Sequence, residues 1–311
     1  MPSYAFRVVP VILALVLVGG ACAQPAPPTS TPAAPPAATA TAAPARAATT
    51  PTAAPTAAPT AKPVEASRPT SAPAAATSAA TPTAAARAGA TAIRWLGHAA
   101  FLLTSSAGTR ILVDPFDANV GYALPRLDGV DAVVIGHEHS DHNNVGMATG
   151  QPTIIRGLDR GDWAQVDRQV KDVRVRSVAT YHDAAEGKQR GKNAAFVFEV
   201  DGLRLVHLSD LGHRLSPEQV RQLAPVDVLM IPVGGFYTID AAGATEVVEQ
   251  LAPRLVLPMH YRTPATRSSL PIAGVEPFLE GKRVERPEAT TLTVDRASLP
   301  ATTTVVVLKY E

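Results

Sequence analysis

The chain has 311 residues, with 28 Lys and Arg against 27 Asp and Glu for a net charge of +1, and 46% hydrophobic, 5% aromatic and 18% charged content. Gly shows no period of three and there is a single long apolar run, which excludes a collagen and a multispan membrane protein. No basic stripe marks a nucleic-acid partner. The averages hide a division. Residues 23–90 are almost entirely Ala, Pro, Thr and Ser, with Arg46, Lys62, Glu65, Arg68 and Arg87 the only charges and Val64 the only large aliphatic side chain. Such a segment cannot bury enough apolar surface to offset its ordering entropy and reads as a disordered linker. The remaining 91–311 is long enough for one domain, and it holds 23 basic and 26 acidic residues, a net charge of −3.

In chain order, residues 1–22 read as an export signal: Arg7 in a short n-region, an apolar run from Val8 to Val18, then Gly19, Gly20 and Ala21. A run of about eleven residues suits a signal peptide and is too short for a permanent span. Cys22, the only cysteine, follows at once. This arrangement resembles the lipobox of bacterial lipoproteins, which implies a lipid on Cys22 and a domain held at the outer face of a membrane. Ala21-Cys22-Ala23 also satisfies an A-x-A cleavage site, so plain secretion is the second reading. Both readings take the domain out of the cytoplasm without a disulfide. The linker would then be a tether of roughly 210 Å if fully extended and about 45 Å as a coil.

From Thr91 the pattern changes. Ile93–Leu96, Ala100–Leu103 and Arg110–Val113 read as short strands, and Asp131–Ile135 as a strand covered on both faces. Pro152–Ile155 and Val173–Val178 follow as strands, and 159–171 reads as a short helix. Phe196–Val200 and Leu203–Leu208 flank Asp201-Gly202, a hairpin signal. Ser216-Pro217-Glu218 opens a helix, with Ser216-x-x-Gln219 as its cap. Val226–Ile231 is a strand, Ala241–Leu251 an amphipathic helix stopping at Pro253, and Leu255–Leu257 a strand leading to His260. Strands with helices interleaved from about residue 150 predict a layered α/β sandwich.

The strand at 131–135 runs directly into His137-Glu138-His139-Ser140-Asp141-His142. Four metal-competent side chains within six residues, at the end of a buried strand, can converge if the segment is a tight loop. Imidazole and carboxylate donors suit Zn²⁺, Fe or Mn, and the domain offers no thiol.

This hexapeptide is similar to the H-x-H-x-D-H signature of the metallo-β-lactamase superfamily. Trp95–Phe101, Val113–Phe116, Tyr181–Asp183, His207–Asp210 and Pro258–Tyr261 resemble its metal-dependent hydrolases, including ascorbate-6-phosphate lactonase-like proteins and, more distantly, the phospholipase D that releases N-acylethanolamines. The resemblance spans roughly 91–265. It implies a four-layer αβ/βα sandwich with two divalent metals, zinc in first place and Mn²⁺ or Fe as alternatives, at one edge. His137, His139 and His182 would bind one metal, and Asp141, His142 and His260 the second, with Asp210 bridging. Ser209 departs from the usual Gly before that bridging Asp. The absence of a Cys from residues 91–311 and the presence of Asp210 set the chain apart from true β-lactamases. The implied activity is hydrolysis of an ester, lactone or phosphoester by a metal-bridging hydroxide. The alternative is a surface lipoprotein that binds metal or ligand on the same fold without turnover.

Further candidates surround this set. Asp114 is expected to brace the metal loop, His98 and His213 to act as proton donors or substrate contacts, and His207 to be structural. Lys188, Arg190 and Lys192 could receive an anionic group of a small-molecule substrate. Gly234-Gly235-Phe236-Tyr237 could edge the pocket, with walls from loops 115–128, 183–193 and 262–285.

Overall fold

The computed structural model describes residues 89–310; the signal at 1–22, Cys22 and the linker up to residue 88 lie outside the described residues. The first strands are β1 (Thr91–Gly97), β2 (Ala100–Thr104), β3 (Arg110–Val113), β4 (Ala132–Ile135) and β5 (Thr153–Arg156). Next come β6 (Leu158–Asp159), β7 (Asp162–Trp163), β8 (Asp167–Val170), β9 (Val173–Tyr181), β10 (Lys192–Val200) and β11 (Leu203–His207). Helix α1 (Pro217–Leu223) precedes β12 (Val228–Pro232), and α2 (Ala241–Leu251) precedes β13 (Leu255–Met259). Helix α3 (Glu276–Leu279), β14 (Val284–Glu285), β15 (Thr291–Val294) and β16 (Thr304–Val306) complete the order.

Two sheets stack face to face. The first runs β15-β1-β2-β3-β4-β5 and the second β14-β16-β13-β12-β11-β10-β9-β8. Alternation along the first sheet sorts its side chains. Ile93, Trp95, Phe101, Leu103, Ile111 and Val134 enter the core shared with the second sheet. Leu96, Leu102, Leu112, Val133 and Ile135 turn outward and are covered by Phe116, Val120, Tyr122, Leu127 and Met147. Both faces are therefore buried, which explains why β4 is an unbroken apolar run. The outer layer here is the 114–148 segment with two 3₁₀ turns, Ala118–Val120 and Val145–Met147. On the second sheet α1 packs on β9 and α2 touches both α1 and α3. The capping box read at Ser216 and Gln219 is present.

The helix expected over 159–171 is absent. Those residues form the β6–β7 hairpin and the edge strand β8. Arg160 and Gly161 both adopt left-handed backbone, with φ of 50° and 83°, which closes a two-residue turn. Trp163 then donates its indole N–H to the carbonyls of Thr180 and Asn193, at 3.0 and 2.9 Å. These partners belong to strands far along the chain, so tertiary contacts override the local pattern.

Strand direction places the site. In the first sheet β1 and β3 are each antiparallel to β2, and β3 is parallel to β4, so β1, β3 and β4 end on one edge. In the second sheet β9 and β11 are each antiparallel to β10, while β11, β12 and β13 are parallel. The residues that follow these seven strand ends therefore share an edge in each sheet. The opposite edge is tied by Asp201 in the β10–β11 turn, which accepts from Thr91 Oγ1 at 2.7 Å and from Ser106 N at 2.9 Å. The hydroxyl of Ser106 reaches its other oxygen. Removing this side chain strips three hydrogen bonds that join the two sheets. Asp201→Ala should cost about 2 kcal/mol and lower Tm by roughly 4–8 °C, read by thermal unfolding, with metal content unchanged.

Candidate metal centre

Four non-glycine residues at these strand ends hold left-handed backbone: His98 after β1, Asp114 after β3, Ser209 after β11 and His260 after β13, with φ between 45° and 50°. Such conformations are uncommon for residues carrying a Cβ, and here each turns the chain over the sheet edge. The turns are joined across the sandwich. The carbonyl of His98 accepts from Trp95 Nε1 at 3.1 Å and from His260 N at 3.0 Å.

The segment 136–142 is a loop, and its side chains converge. His142 N donates to the carbonyl of His139 at 3.0 Å, closing the turn. Asp210 Oδ2 lies 3.2 Å from His142 Nε2, 3.2 Å from His182 Nε2, 3.4 Å from His260 Nε2 and 3.8 Å from His137 Nε2. Three overlapping donor groups result, each with ligand atoms within 4.8 Å of one another: His137, His139 and His182; His98, Asp141, His142 and His260; and His137, His142 and Asp210. The seven residues the sequence singled out as ligands thus meet at one edge, and His98 joins them.

Burial governs the charges. It drives His137 well below the ordinary imidazole range and His98 down to about 4. Burial would lower His142 too, but Asp210 and Asp141 hold it well above that range. Burial would raise Asp210, yet His142 and His260 keep it well below the carboxylate range. The set is rich in unmet capacity. His142 Nε2, His182 Nδ1, both ring nitrogens of His260, His98 Nδ1 and Asp210 Oδ1 are buried with no hydrogen-bond partner. Each such atom costs about 1–3 kcal/mol if left unmatched. Nitrogen and carboxylate donors in this density fit divalent metal ions.

The supports are as specific as the donors. Asp114, fully buried, accepts from His142 Nδ1 at 3.0 Å, Ser209 Oγ at 2.5 Å and Gly136 N at 2.7 Å. It fixes the tautomer and tilt of His142, as expected of a brace. Asn193 on β10 was not singled out by the sequence, because one amide in an apolar strand carries no motif. Its Oδ1 accepts from Asp210 N at 3.2 Å, while its Nδ2 donates to Thr180 Oγ1 and the Leu208 carbonyl. His207 is structural: its Nε2 donates to the Ala99 carbonyl at 2.9 Å and its Nδ1 accepts from Ser209 N.

Of the three residues expected to act chemically, Asp210 lies at the centre. His98 is adjacent but only 2% exposed, with Nε2 3.1 Å from Asp141 Oδ2, so it orients that carboxylate instead of facing a substrate. His213 is placed elsewhere. Its Nε2 accepts from Tyr181 N at 3.0 Å and its Nδ1 donates to the Arg214 carbonyl at 2.6 Å, leaving neither nitrogen for proton transfer.

Ser209 answers the departure noted in the sequence. Its φ of 49° explains a preference for Gly there, and its hydroxyl supplies a hydrogen bond to Asp114 that Gly lacks. Ser209→Ala keeps the strain and loses the bond; Ser209→Gly loses the bond and the strain. The Gly variant should be the more stable of the two by about 1 kcal/mol, a Tm gap of roughly 2–4 °C in thermal unfolding.

Comparison with known proteins agrees with this geometry. A family model described as a beta-lactamase superfamily domain matches residues 92–260. A protein of Thermococcus onnurineus named a metal-dependent hydrolase is 31% identical over 191 residues, spanning 55% of this chain and 84% of its own. Another so named, from Pyrococcus furiosus, is 29% identical over 192 residues with the same coverage of 55% and 84%. A solved structure from Thermotoga maritima, assigned to the Zn-dependent hydrolases of the metallo-beta-lactamase superfamily, shares 32% identity at a TM-score of 0.54 and covers 71% of this chain and 100% of its own. The chain belongs to the metallo-β-lactamase superfamily, among its metal-dependent hydrolases.

Proposed function

We propose that the protein is a two-metal hydrolase of a small ester, lactone or phosphoester, exported and anchored at a membrane surface through Cys22. The observation that carries the two-metal reading is the position of Asp210 Oδ2, within 3.8 Å of four imidazoles drawn from both sheets. His137, His139 and His182 would hold one ion, Asp141, His142 and His260 the other, and Asp210 both. Zinc suits these borderline donors and has no redox demand in an exported protein. When bound, such ions supply Lewis acidity and an activated water.

The chain's own residues do the rest. Asp114 holds the His142 ring through Nδ1, so that Nε2 faces Asp210. Asn193 fixes the backbone of Asp210, and His98 fixes Asp141. His139, Asp141, His182 and Asp210 open onto a cavity of about 410 Å³, a volume suited to a small molecule.

Elemental analysis of the purified protein should find about two divalent ions per chain. Asp210→Asn and His139→Ala should each remove metal and lower kcat/KM at least 100-fold on an esterase, lactonase and phosphodiesterase panel. Undiminished turnover in both variants would sink the mechanism. Full metal content with no turnover on any panel member would favour the metal-binding lipoprotein instead. Cys22→Ser should move the protein from the membrane fraction to the soluble fraction of the envelope; unchanged membrane association would remove the anchor from the proposal.

A further inference from the structure

We propose that Arg190, resting against Phe236 and Tyr237, is the receptor for an anionic group carried on an apolar arm of the substrate. The inference rests on the hydrolase reading and adds the substrate class: an aryl or alkyl ester, lactone or phosphodiester bearing a separate carboxylate or phosphate.

Of the three basic residues in the loop after His182, two are already neutralised. Lys188 pairs with Glu186 at 3.7 Å, and Lys192 with Asp162 at 2.8 Å while lying over the Trp163 ring. Arg190 differs. Among the described residues its guanidinium has no carboxylate partner; its contacts are the rings of Phe236 and Tyr237, with Cζ 5.9 and 5.7 Å from their centroids. It is also the only Lys or Arg among the described residues that line the cavity, where Asp117, Asp141 and Asp210 supply negative charge. A guanidinium held by aromatic faces keeps its planar donor fork for a carboxylate or phosphate.

Two loops are built to hold this group in place. Asp183, next to His182, accepts four backbone N–H groups of its own loop: Ala185 at 2.8 Å, Gly187 at 3.0 Å, Gln189 at 3.0 Å and Arg190 at 2.7 Å. The base of Arg190 is therefore tied to the residue beside a candidate ligand. Phe236, next in the chain to the cavity-lining Tyr237, has φ of 60° and is 60% exposed. A bulky residue in left-handed backbone is strained, and here that strain accompanies an apolar ring left in solvent. Aromatic faces attract a cation electrostatically, and the remaining face of Phe236 offers apolar area to a ligand.

The metal-loaded protein is tested with naphthalene-2-sulfonate, an apolar anion that is a poor metal ligand, and with neutral naphthalene-2-methanol, both by calorimetry. The sulfonate should bind at least tenfold more tightly than the alcohol. Arg190→Gln should abolish that preference, Arg190→Lys should keep part of it, and Phe236→Ala should weaken both ligands several-fold. A sulfonate affinity that is unchanged in Arg190→Gln, or absent in the parent protein, overturns the proposal. In turnover, the preference for 4-nitrophenyl hydrogen glutarate over 4-nitrophenyl butyrate should fall at least tenfold in Arg190→Gln, mainly through KM; an unchanged ratio overturns the proposal while leaving the hydrolase reading intact. If neither ester is cleaved the ester arm of the hydrolase reading fails, and the sulfonate titration still decides the anion site.

Discussion

Asp210 brings a carboxylate oxygen within 3.2–3.8 Å of four buried imidazole rings, and the remainder of the edge is arranged around that contact. A buried carboxylate is tolerated only when positive charge or donors surround it. Imidazoles alone would have to take up protons to serve, and burial opposes this at His137 and His98. Divalent ions resolve the conflict, since neutral imidazoles and anionic carboxylates are the forms that bind them. The unpartnered atoms on His142, His182, His260 and Asp210 are then donors awaiting a ligand rather than packing defects.

Holding such a set requires strain, and the sandwich absorbs it. Each of four strand ends turns in a left-handed residue, and the two sheets behind them share one continuous apolar core. Asp114 and Asn193 then remove the remaining freedom. One carboxylate joins three donors from two loops, and one amide links Asp210 to β9 and to the end of β11. Because Asp210 comes from the second sheet while His137 and His142 come from the first, the relative seating of the sheets sets the spacing of the donors. A core change far from the edge would act on chemistry through this route.

The sequence made the donors legible because they are dense and follow apolar runs: His137 to His142 after β4, His182 after β9, Asp210 after β11 and His260 after β13. Their convergence follows from strand direction, which alternation and hairpin signals already constrained at Asp201-Gly202. What stayed hidden is what acts at a distance. Asn193 looks like any polar residue in a strand until its partners at Thr180, Leu208 and Asp210 are in place. Over 159–171 the local pattern read as a helix, while the Arg160-Gly161 turn and the anchoring of Trp163 depend on strands formed later in the chain. His213 was assigned because the resemblance puts its segment near the metals, and its backbone partners show how little the placing of a segment constrains a ring.

The loops around the centre divide the work differently from the strands. The candidate metal donors follow strand ends, four of them on the short 136–142 loop after β4. The proposed recognition groups sit in the segments after His182 and after β12, where Asp183 gathers its own loop and Phe236 is exposed. Since Asp183 anchors its loop through its own carboxylate and not through Asp210, the loop's side chains can change without displacing a metal donor, except at Gly187 and Gly191, which hold left-handed backbone. His182 and Asp183 are nonetheless neighbours in the chain, so the recognition loop keeps its register to the metals whatever side chains it carries. Substrate choice can therefore vary on this edge while the chemistry stays fixed.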